Sequence, residues 1–330
     1  IGAEDRIGAE DRIGAEDRIG AEDRIGAEDR IGAEDRIGAE DRIGAEDRIG
    51  AEDRTATLFH GRGEAVPMRR FSAEYLRRTR TGMWTDGSRA ALADLGLDSA
   101  GRVLDVGSGT GEFTAVLREE TPDGALVVGA DRDPDLLARA DGPVVRADAH
   151  TLPASDGAFD VVACQALLVN LPDPAAALRE FRRVSRGRVA AVEPDNAAVS
   201  VDSTVDGEAA LARRARELYL DGSGTDVSLG AASGAFERSG LADVTVRRYD
   251  FERVVEPPYS EAAVRAATRK ASGAGLRERR AVLADGTNAE ALDALRESWR
   301  EMGREAVRQL RDGEYRRRET VPFYVTVGRV

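Results

Sequence analysis

Short apolar runs alternate with amphipathic segments between about residue 100 and residue 196 of the chain. Helical patterns at Glu112–Glu120 and Asp173–Val184, and a third that starts with Asp133 as N-cap and Pro134, separate runs that are typical of buried strands. The predicted strands are Arg102–Val106, Ala125–Ala130, Val144–Arg146, Asp160–Gln165 and Val189–Val192. This alternation predicts an α/β protein with a parallel, doubly wound sheet, helices on both faces and a ligand at the carboxyl ends of the strands.

The pattern continues less regularly after Asn196. Helices are predicted at Leu211–Leu220 and Ala231–Ser239, and a sixth and a seventh strand at Val244–Tyr249 and Pro322–Val327. The stretch 260–316 between these two strands is longer than a hairpin needs and predicts two helices, near Ser260–Arg280 and Asn288–Arg311, with Gly273 and Gly275 interrupting the first. We expect this insertion to cap a substrate site, with a packing or dimerisation appendage as the alternative.

A glycine-rich turn follows the first predicted strand. Gly107, Gly109 and Gly111 occupy alternate positions directly after Val103–Val106, and Asp131 follows twenty residues after Gly111. Glycines there allow a sharp turn and the close approach of a ligand, and an acid at the tip of the second strand is placed to accept hydrogen bonds from ribose hydroxyls. The two features predict an adenosine-containing cofactor.

The spacing argues against a dinucleotide. The third glycine comes one residue earlier than in Gly-x-Gly-x-x-Gly, and Glu112 stands at the fingerprint's third position. Carboxylates at Glu112 and Asp105 would repel a pyrophosphate but suit a cation. S-adenosylmethionine (SAM), with an ammonium, a sulfonium and no phosphate, is such a ligand, and NAD is disfavoured.

The segment from Gly101 to about Asn196 resembles class I SAM-dependent methyltransferases, specifically the type 11 or UbiE-like small-molecule group. The matching pieces, in order, are Val103–Gly111, Gly129–Asp131, Ala147–Ala149, Phe159–Val162, Leu171–Pro174 with Leu178–Glu180, and Val192–Asp195. The resemblance implies a Rossmann-like sheet of seven strands, mostly parallel, with the last strand antiparallel beside the fifth.

The resemblance also implies the site. Asp131 would bind the ribose hydroxyls, Asp148 would accept from the adenine amino group with the backbone of Ala149 on the ring, and Gln165 would lie near the methionine part. The full set of expected cofactor-binding residues is Asp105, Gly107, Ser108, Gly109, Gly111, Asp131, Arg132, Asp148, Ala149 and Gln165.

The implied reaction is the transfer of a methyl group from SAM to a small-molecule acceptor by in-line displacement, in which alignment and water exclusion do most of the work. No catalytic base stands out. Glu193 and Asn170 are the candidates for substrate-facing groups, with a helix-capping or sheet-end role as the alternative for Glu193. His150 and Cys164 are interpreted as structural. A non-catalytic SAM-binding regulator or scaffold is the alternative function.

A helix predicted at Arg69–Trp84 precedes the first strand, with Phe71, Tyr75 and Leu76 as its inner residues. In related enzymes a segment in this place folds over the cofactor. Tyr75, Arg80 or Trp84 would then contact the methionine carboxylate or close the pocket; the alternative is that the aromatic residues only pack and the arginines are solvated.

The composition and charge of the chain limit the classes of partner and ligand that we expect. The net charge is −13, and the chain has 47 arginines but one lysine, Lys270. Without a basic stripe we expect no nucleic-acid partner. The acid-rich, lysine-poor composition fits a salt-adapted cytoplasm. Cys164 is the only cysteine, which excludes disulfides and cysteine metal sites, and we expect no metal, no membrane span and a cytoplasmic protein, with a homodimer left open.

Residues 1–54 are nine identical copies of Ile-Gly-Ala-Glu-Asp-Arg. A six-residue period turns successive isoleucines to three faces of a helix, and each glycine costs a helix about 1 kcal/mol. We therefore expect a disordered or transiently helical tail, with a left-handed β-helix as the alternative, followed by a linker at 55–67. The methyltransferase domain is expected at 68–330, starting near Met68, with the tail dispensable.

Overall fold

The computed structural model describes residues 71–223 and 229–330. The predictions for the repeat at 1–54 and for the linker at 55–67 lie outside the described residues. A sheet of eight strands organises the described part of the chain. The strands are β1 Arg102–Val106, β2 Leu126–Asp131, β3 Val144–Arg146, β4 Phe159–Gln165, β5 Ser185–Pro194, β6 Ser200–Ser203, β7 Ala242–Val255 and β8 Arg317–Arg329.

The sheet order is β3-β2-β1-β4-β5-β8, with β6 and β7 also paired to β8. The first five strands pair in parallel, for example Val106 with Ala130 on one side and with Cys164 on the other. The last strand, β8, runs antiparallel to both β5 and β7. The Rossmann-like α/β fold and the antiparallel last strand beside the fifth are therefore confirmed, with the predicted sixth and seventh strands as β7 and β8.

One strand was not predicted. Ser200–Ser203 pairs antiparallel with Arg317–Thr320, which is the start of β8 and precedes the predicted boundary at Pro322. These first residues of β8 include two arginines and a glutamate. They therefore lack the alternation of apolar and polar residues by which a strand is predicted from sequence. The predicted seven-stranded sheet is thus extended by one short edge strand.

Eleven α-helices occur in the described ranges. They are α1 Ala73–Arg80, α2 Asp86–Ala90, α3 Glu112–Glu120, α4 Pro134–Leu137, α5 Pro174–Val184, α6 Glu208–Asp221, α7 Ser233–Arg238, α8 Glu261–Ser272, α9 Ala274–Glu278, α10 Arg280–Asp285 and α11 Ala289–Arg311. The helix predicted at Arg69–Trp84 is shorter than expected and ends at Arg80, before Gly82 with its positive φ of 74°. Asp133 caps α4 and Pro134 follows it, as predicted.

Each face of the sheet has its own hydrophobic core. Alternate residues of β4 divide between them: Val161 and Ala163 pack with Phe113 of α3, whereas Val162 and Cys164 pack with Phe181 of α5. We call the first the α3 face and the second the α5 face.

The insertion between β7 and β8 consists of helices α8 to α11, which pack together with α6. Leu218 of α6 packs with Leu276, Leu283 and Leu292 in a cluster separate from the two sheet cores. Helices α8 and α11 approach so closely that a Cβ on Gly303 would lie 2.2 Å from the backbone nitrogen of Ala271. The chain enters the insertion after Val255 and leaves it before Arg317, and these two residues pair at the end of the sheet where the parallel strands terminate.

Candidate cofactor site

The glycine-rich turn forms as predicted at the carboxyl end of β1. Gly107, Gly109 and Gly111 have φ angles of 73°, 58° and 89°, which lie in the left-handed region that glycine alone adopts without cost. The backbone N–H groups of Gly107 and Ser108 both donate to the carbonyl of Ala130, at 2.7 and 3.0 Å, so the turn is fixed to the neighbouring strand. Helix α3 begins immediately after Gly111.

Asp131 joins the end of β2 to this turn. Its Oδ2 accepts a hydrogen bond of 2.9 Å from the backbone N–H of Gly109, and its Oδ1 accepts one of 2.9 Å from the backbone N–H of Asp133. In a dinucleotide site, N–H groups of the glycine turn face phosphate oxygens. Here the N–H of Gly109 is directed at a carboxylate instead.

A second acid occupies the start of α3. Thr110 Oγ1 donates to both oxygens of Glu112, at 2.6 and 2.8 Å, and Arg80 Nη1 lies 3.5 Å from Glu112 Oε2. A carboxylate in the first turn satisfies the positive end of the helix dipole. Negative charge is therefore already present where a pyrophosphate would bind, as the sequence predicted.

Asp105 lies beneath the turn with no exposed surface. Burial raises its pKa to about 7, although a 2.6 Å hydrogen bond from Thr114 Oγ1 and the charge of Arg80 act in the opposite direction. Its Oδ1 and the hydroxyl of Ser108 have no hydrogen-bond partner among the described residues. Two buried polar atoms are thus left unsatisfied directly under the expected cofactor.

Asp148 and Ala149 form a turn after β3. Asp148 Oδ1 accepts from the backbone N–H of His150 at 2.8 Å and contacts its ring Nδ1 at 2.9 Å. Burial opposes ionisation, but these hydrogen bonds from His150 lower the pKa of Asp148. His150, interpreted as structural from the sequence, therefore orients the carboxylate; a histidine two residues after an aspartate was the local signal for this contact. Arg132, next to Asp131, is partly buried, and its carbonyl accepts from Arg146.

Gln165 ends β4 and is almost fully buried. Its Nε2 lies 2.8 Å from the sulfur of Met83, and its Oε1 has no partner among the described residues. The next residue, Ala166, has a φ of 48°, which is strained for an alanine. Strained backbone conformations of this kind are concentrated at functional sites. Here the strained residue lies where the chain turns at the carboxyl end of β4.

Side chains from α1, before β1, and from the turn after β4 lie against the glycine turn. A Cβ on Gly109 would lie 2.8 Å from Leu76 Cδ1, and one on Gly107 would lie 2.9 Å from Leu167 Cδ1. Leu76 of α1 and Arg80, whose side chain is 8% exposed, therefore lie against the turn, and Tyr75 stacks on Phe71.

The two candidates for substrate-facing groups, Glu193 and Asn170, differ in how deeply they are buried. Glu193 is fully buried on the α5 face, where its carboxylate accepts from the backbone N–H groups of Leu167, Leu168 and Val169 at 3.0, 2.9 and 3.3 Å. Burial raises its pKa to about 7. This placement favours the capping alternative over a substrate-facing base. Asn170 is half-buried, and its Nδ2 donates to the carbonyl of Ala166 at 2.8 Å.

These residues fit SAM better than a dinucleotide. We expect the acids Asp131, Asp148 and Glu112 to face the ribose, the adenine amino group and the cationic end of such a ligand. Asp105 and Gln165 each have a buried side-chain oxygen without a hydrogen-bond partner among the described residues.

Comparison with known proteins supports this assignment. The family described as "Methyltransferase domain" matches residues 104–191, which span β1 to β5. A demethylmenaquinone methyltransferase of Thermus thermophilus is 43% identical over 106 residues, covering 29% of this chain and 48% of the relative. Residues 104–191 are therefore similar to the methyltransferase domain of class I SAM-dependent methyltransferases of the UbiE-like type, and this similarity implies SAM as the cofactor.

Two further similar proteins complete the comparison. The ubiquinone/menaquinone biosynthesis C-methyltransferase UbiE of a Geobacter species is 32% identical over 110 residues, covering 30% of this chain and 47% of the relative. A solved SAM-dependent methyltransferase from Archaeoglobus fulgidus aligns with a TM-score of 0.42 at 15% identity, over 78% of this chain and all of its own. The chain spans about half the length of the curated relatives it matches.

Neither a membrane-spanning helix nor a metal cluster occurs among the described residues. No helix within 71–223 or 229–330 is both long and apolar enough to cross a bilayer. In the same ranges no three side chains of His, Cys, Asp or Glu come together as metal ligands.

Proposed function

We propose that the protein transfers a methyl group from SAM to a small-molecule acceptor by in-line displacement. The observation that supports this most directly is the hydrogen bond from the N–H of Gly109 to Asp131. It directs the glycine turn at a carboxylate that can bind ribose and leaves the N–H of Gly109 unavailable to a phosphate. When bound, SAM supplies the electrophilic methyl group.

Each cofactor-binding residue then has a defined task. Asp131 binds the ribose hydroxyls, and Asp148, oriented by His150, accepts from the adenine amino group. The glycine turn lies under the ribose and methionine, and Arg80, which lies against the turn, is the cation for the methionine carboxylate. Arg132, Ala149 and Gln165 complete the cofactor set.

Catalysis in this site rests on alignment and the exclusion of water. Methyl transfer disperses the positive charge of the sulfonium, so a desolvated site favours it. Glu193 is inside the α5 face, and Asn170 offers an amide rather than a base. We therefore expect an acceptor that is itself nucleophilic.

The insertion 260–316 is proposed to cap the acceptor side, because it leaves and re-enters the sheet where the parallel strands end. The two relatives are named for methylation of demethylmenaquinone and for ubiquinone and menaquinone biosynthesis, which makes reduced quinones the first acceptors to try. A cytoplasmic location, the absence of a nucleic-acid partner, a homodimer and the domain limits 68–330 remain predictions.

The test is turnover with methyl-labelled SAM and pooled small metabolites, read as S-adenosylhomocysteine. The wild-type protein should form product from at least one pool, and Asp131→Ala should lose most of it. Binding of SAM without product from any pool would support the regulator or scaffold instead, and an absence of SAM binding would contradict both.

A further inference from the structure

Strand β7 forms an edge of the sheet that no described strand covers. It is 14 residues long and pairs with β8 on one side, and within residues 71–223 and 229–330 no strand pairs with its other side. In the same ranges no backbone hydrogen bond links residues 246–254 to any element other than β8. The strand at the opposite edge of the sheet, β3, has only three residues. A long edge strand with unpaired N–H and C=O groups is a template to which another strand can pair.

One face of β7 carries a stripe of five exposed side chains. They alternate along the strand with Phe251, which belongs to the core of the α3 face, so they lie on the α5 face. The five residues are Val246, Arg248, Asp250, Glu252 and Val254. The two valines at the ends of the stripe are 41% and 49% exposed. The stripe therefore has an apolar residue at each end and charges of both signs between them.

This stripe is complementary to itself when two β7 strands run antiparallel. In an antiparallel pair, a residue whose N–H and C=O point out of its own sheet faces another such residue, so the register of two identical strands changes only in steps of two residues. One register sets Val246 against Val254. The same register sets Arg248 against Glu252, and each contact occurs twice by symmetry. The next register in one direction sets Val246 against Glu252, and the next in the other direction sets a valine against Arg248.

The like charges that this register brings together are already paired within each chain. Asp250 would face Asp250 of the second copy, and Arg248 donates to its Oδ1 from Nε and Nη2 at 2.9 and 2.8 Å. A guanidinium group has five donors, so Arg248 can bond to Asp250 and to Glu252 of the second copy at once. On the α3 face Arg247 would face Arg253, and each forms an ion pair with a carboxylate of its own chain, at 2.7 and 3.1 Å.

We propose that the protein forms a symmetric homodimer in which the β7 strands of two copies pair antiparallel and continue the sheet. Main-chain hydrogen bonds, about one per residue, contribute most of the affinity. The valine contacts and the two ion pairs between Arg248 and Glu252 fix the register. A second copy is favoured over an unrelated partner because the stripe is complementary to its own sequence. This interface does not depend on the proposed function.

Sedimentation velocity of the full chain at micromolar concentrations tests this interface, and the wild-type protein should sediment as a dimer. Arg248→Glu and Glu252→Arg each set like charges against one another at two places, so each variant alone should raise the dimer Kd by about tenfold. In an equimolar mixture of the two variants every reversed residue faces an opposite charge, so a heterodimer should form. Arg179→Glu on α5 is the matched control, because its side chain is 57% exposed and that of Arg248 is 52% exposed; it should leave the Kd unchanged.

Three results would overturn the proposal. A wild-type protein that stays monomeric would leave the edge of β7 to a different occupant. A dimer that persists unchanged in both variants would have to form through another surface. Two variants that no longer dimerise alone and do not combine when mixed would show that the register is wrong. Circular dichroism checks that each variant is folded before it is compared.

Discussion

Two buried carboxylates, one under the glycine turn and one beside the helical insertion, differ in their hydrogen-bond partners and in the direction of their pKa shifts. Asp105, under the turn, has one hydrogen bond from Thr114 and one oxygen with no partner among the described residues, and burial raises its pKa to about 7. Glu208, at the start of α6, is 1% exposed, and burial also disfavours its charge, but its cationic partner Lys270 and its hydrogen bonds lower its pKa below the usual value.

The partners of Glu208 come from distant parts of the chain. Ser203 Oγ donates to it at 2.6 Å, Tyr315 OH at 3.0 Å and Arg317 Nε at 3.0 Å, and Lys270, the only lysine of the chain, contacts it from α8. The satisfied carboxylate holds the insertion to α6 and β8. The unsatisfied one lies where a ligand is expected, and this difference separates groups kept for structure from groups kept for binding.

The largest effect should follow from removing the satisfied carboxylate. Glu208→Gln leaves Lys270 buried without its counter-charge, whereas Arg317 keeps its ion pair with Glu319, and the substitution should lower the free energy of unfolding by about 3–5 kcal/mol. Glu217→Gln on the same helix is the control, because its ion pairs with Arg213 and Arg214 are exposed and should cost less than about 1 kcal/mol. Urea titration measures both, and equal losses would contradict a structural role for Glu208.

Asp131 should affect binding rather than stability. Asp131→Asn removes the charge that we expect to bind the ribose, so the affinity for SAM should fall by about tenfold to a hundredfold, which corresponds to roughly 1–3 kcal/mol. Asp135→Asn, four residues later and exposed, makes the same charge change and should leave affinity intact. Calorimetry with SAM compares the two, and unchanged affinity in Asp131→Asn would overturn the ribose assignment.

Gly109 tests the turn itself. Alanine there must adopt a φ of 58° and meets Leu76, so the affinity for SAM should fall by about tenfold and stability by roughly 1 kcal/mol. Gly124 has a φ of 85° and nothing within 4 Å of the place where an added methyl group would lie, so Gly124→Ala should show the same stability loss with no change in affinity. If both variants bind SAM like the wild type, the turn does not contact the cofactor.

The last prediction concerns the pH dependence of stability. Because the pKa of Asp105 rises from 3.8 to about 7 on folding, the folded state holds an extra proton between these values, and stability falls as the pH rises through this window. Asp105→Asn should therefore gain in Tm relative to the wild type above about pH 5, with the full gain reached above pH 7. Glu208 has the opposite sign: its contribution is present above 4.5 and lost as the pH falls further. Thermal melts from pH 4 to 8 check both, and a gain confined to low pH would contradict the buried, unpaired state of Asp105.

The geometry of the glycine turn could be predicted from the sequence because its information is local. Three alternate glycines after a strand determine the turn, and Asp131 follows at the fixed distance of one strand and one helix. The bounds of β1 and α3 were correct for the same reason. The spacing of residues along the chain was sufficient to predict a contact when the two residues lie in neighbouring, consecutive strands.

The surroundings of Glu208 depend on contacts between distant residues, which spacing does not show. Its partners come from β6, α8 and the start of β8, and the edge strand β6 exists because β8 begins earlier than its apolar pattern. The capping of three backbone N–H groups by Glu193 is equally non-local. Charged residues in these positions resemble solvated surface until the fold brings them together.

The most direct test of the account is calorimetric titration of the wild-type protein with SAM and, separately, with NADH. A glycine turn whose N–H is bonded to Asp131 and whose helix begins with Glu112 should bind SAM at micromolar concentration and show no heat with NADH. Tight binding of NADH together with no binding of SAM would contradict the assignment of this site to a positively charged methyl donor.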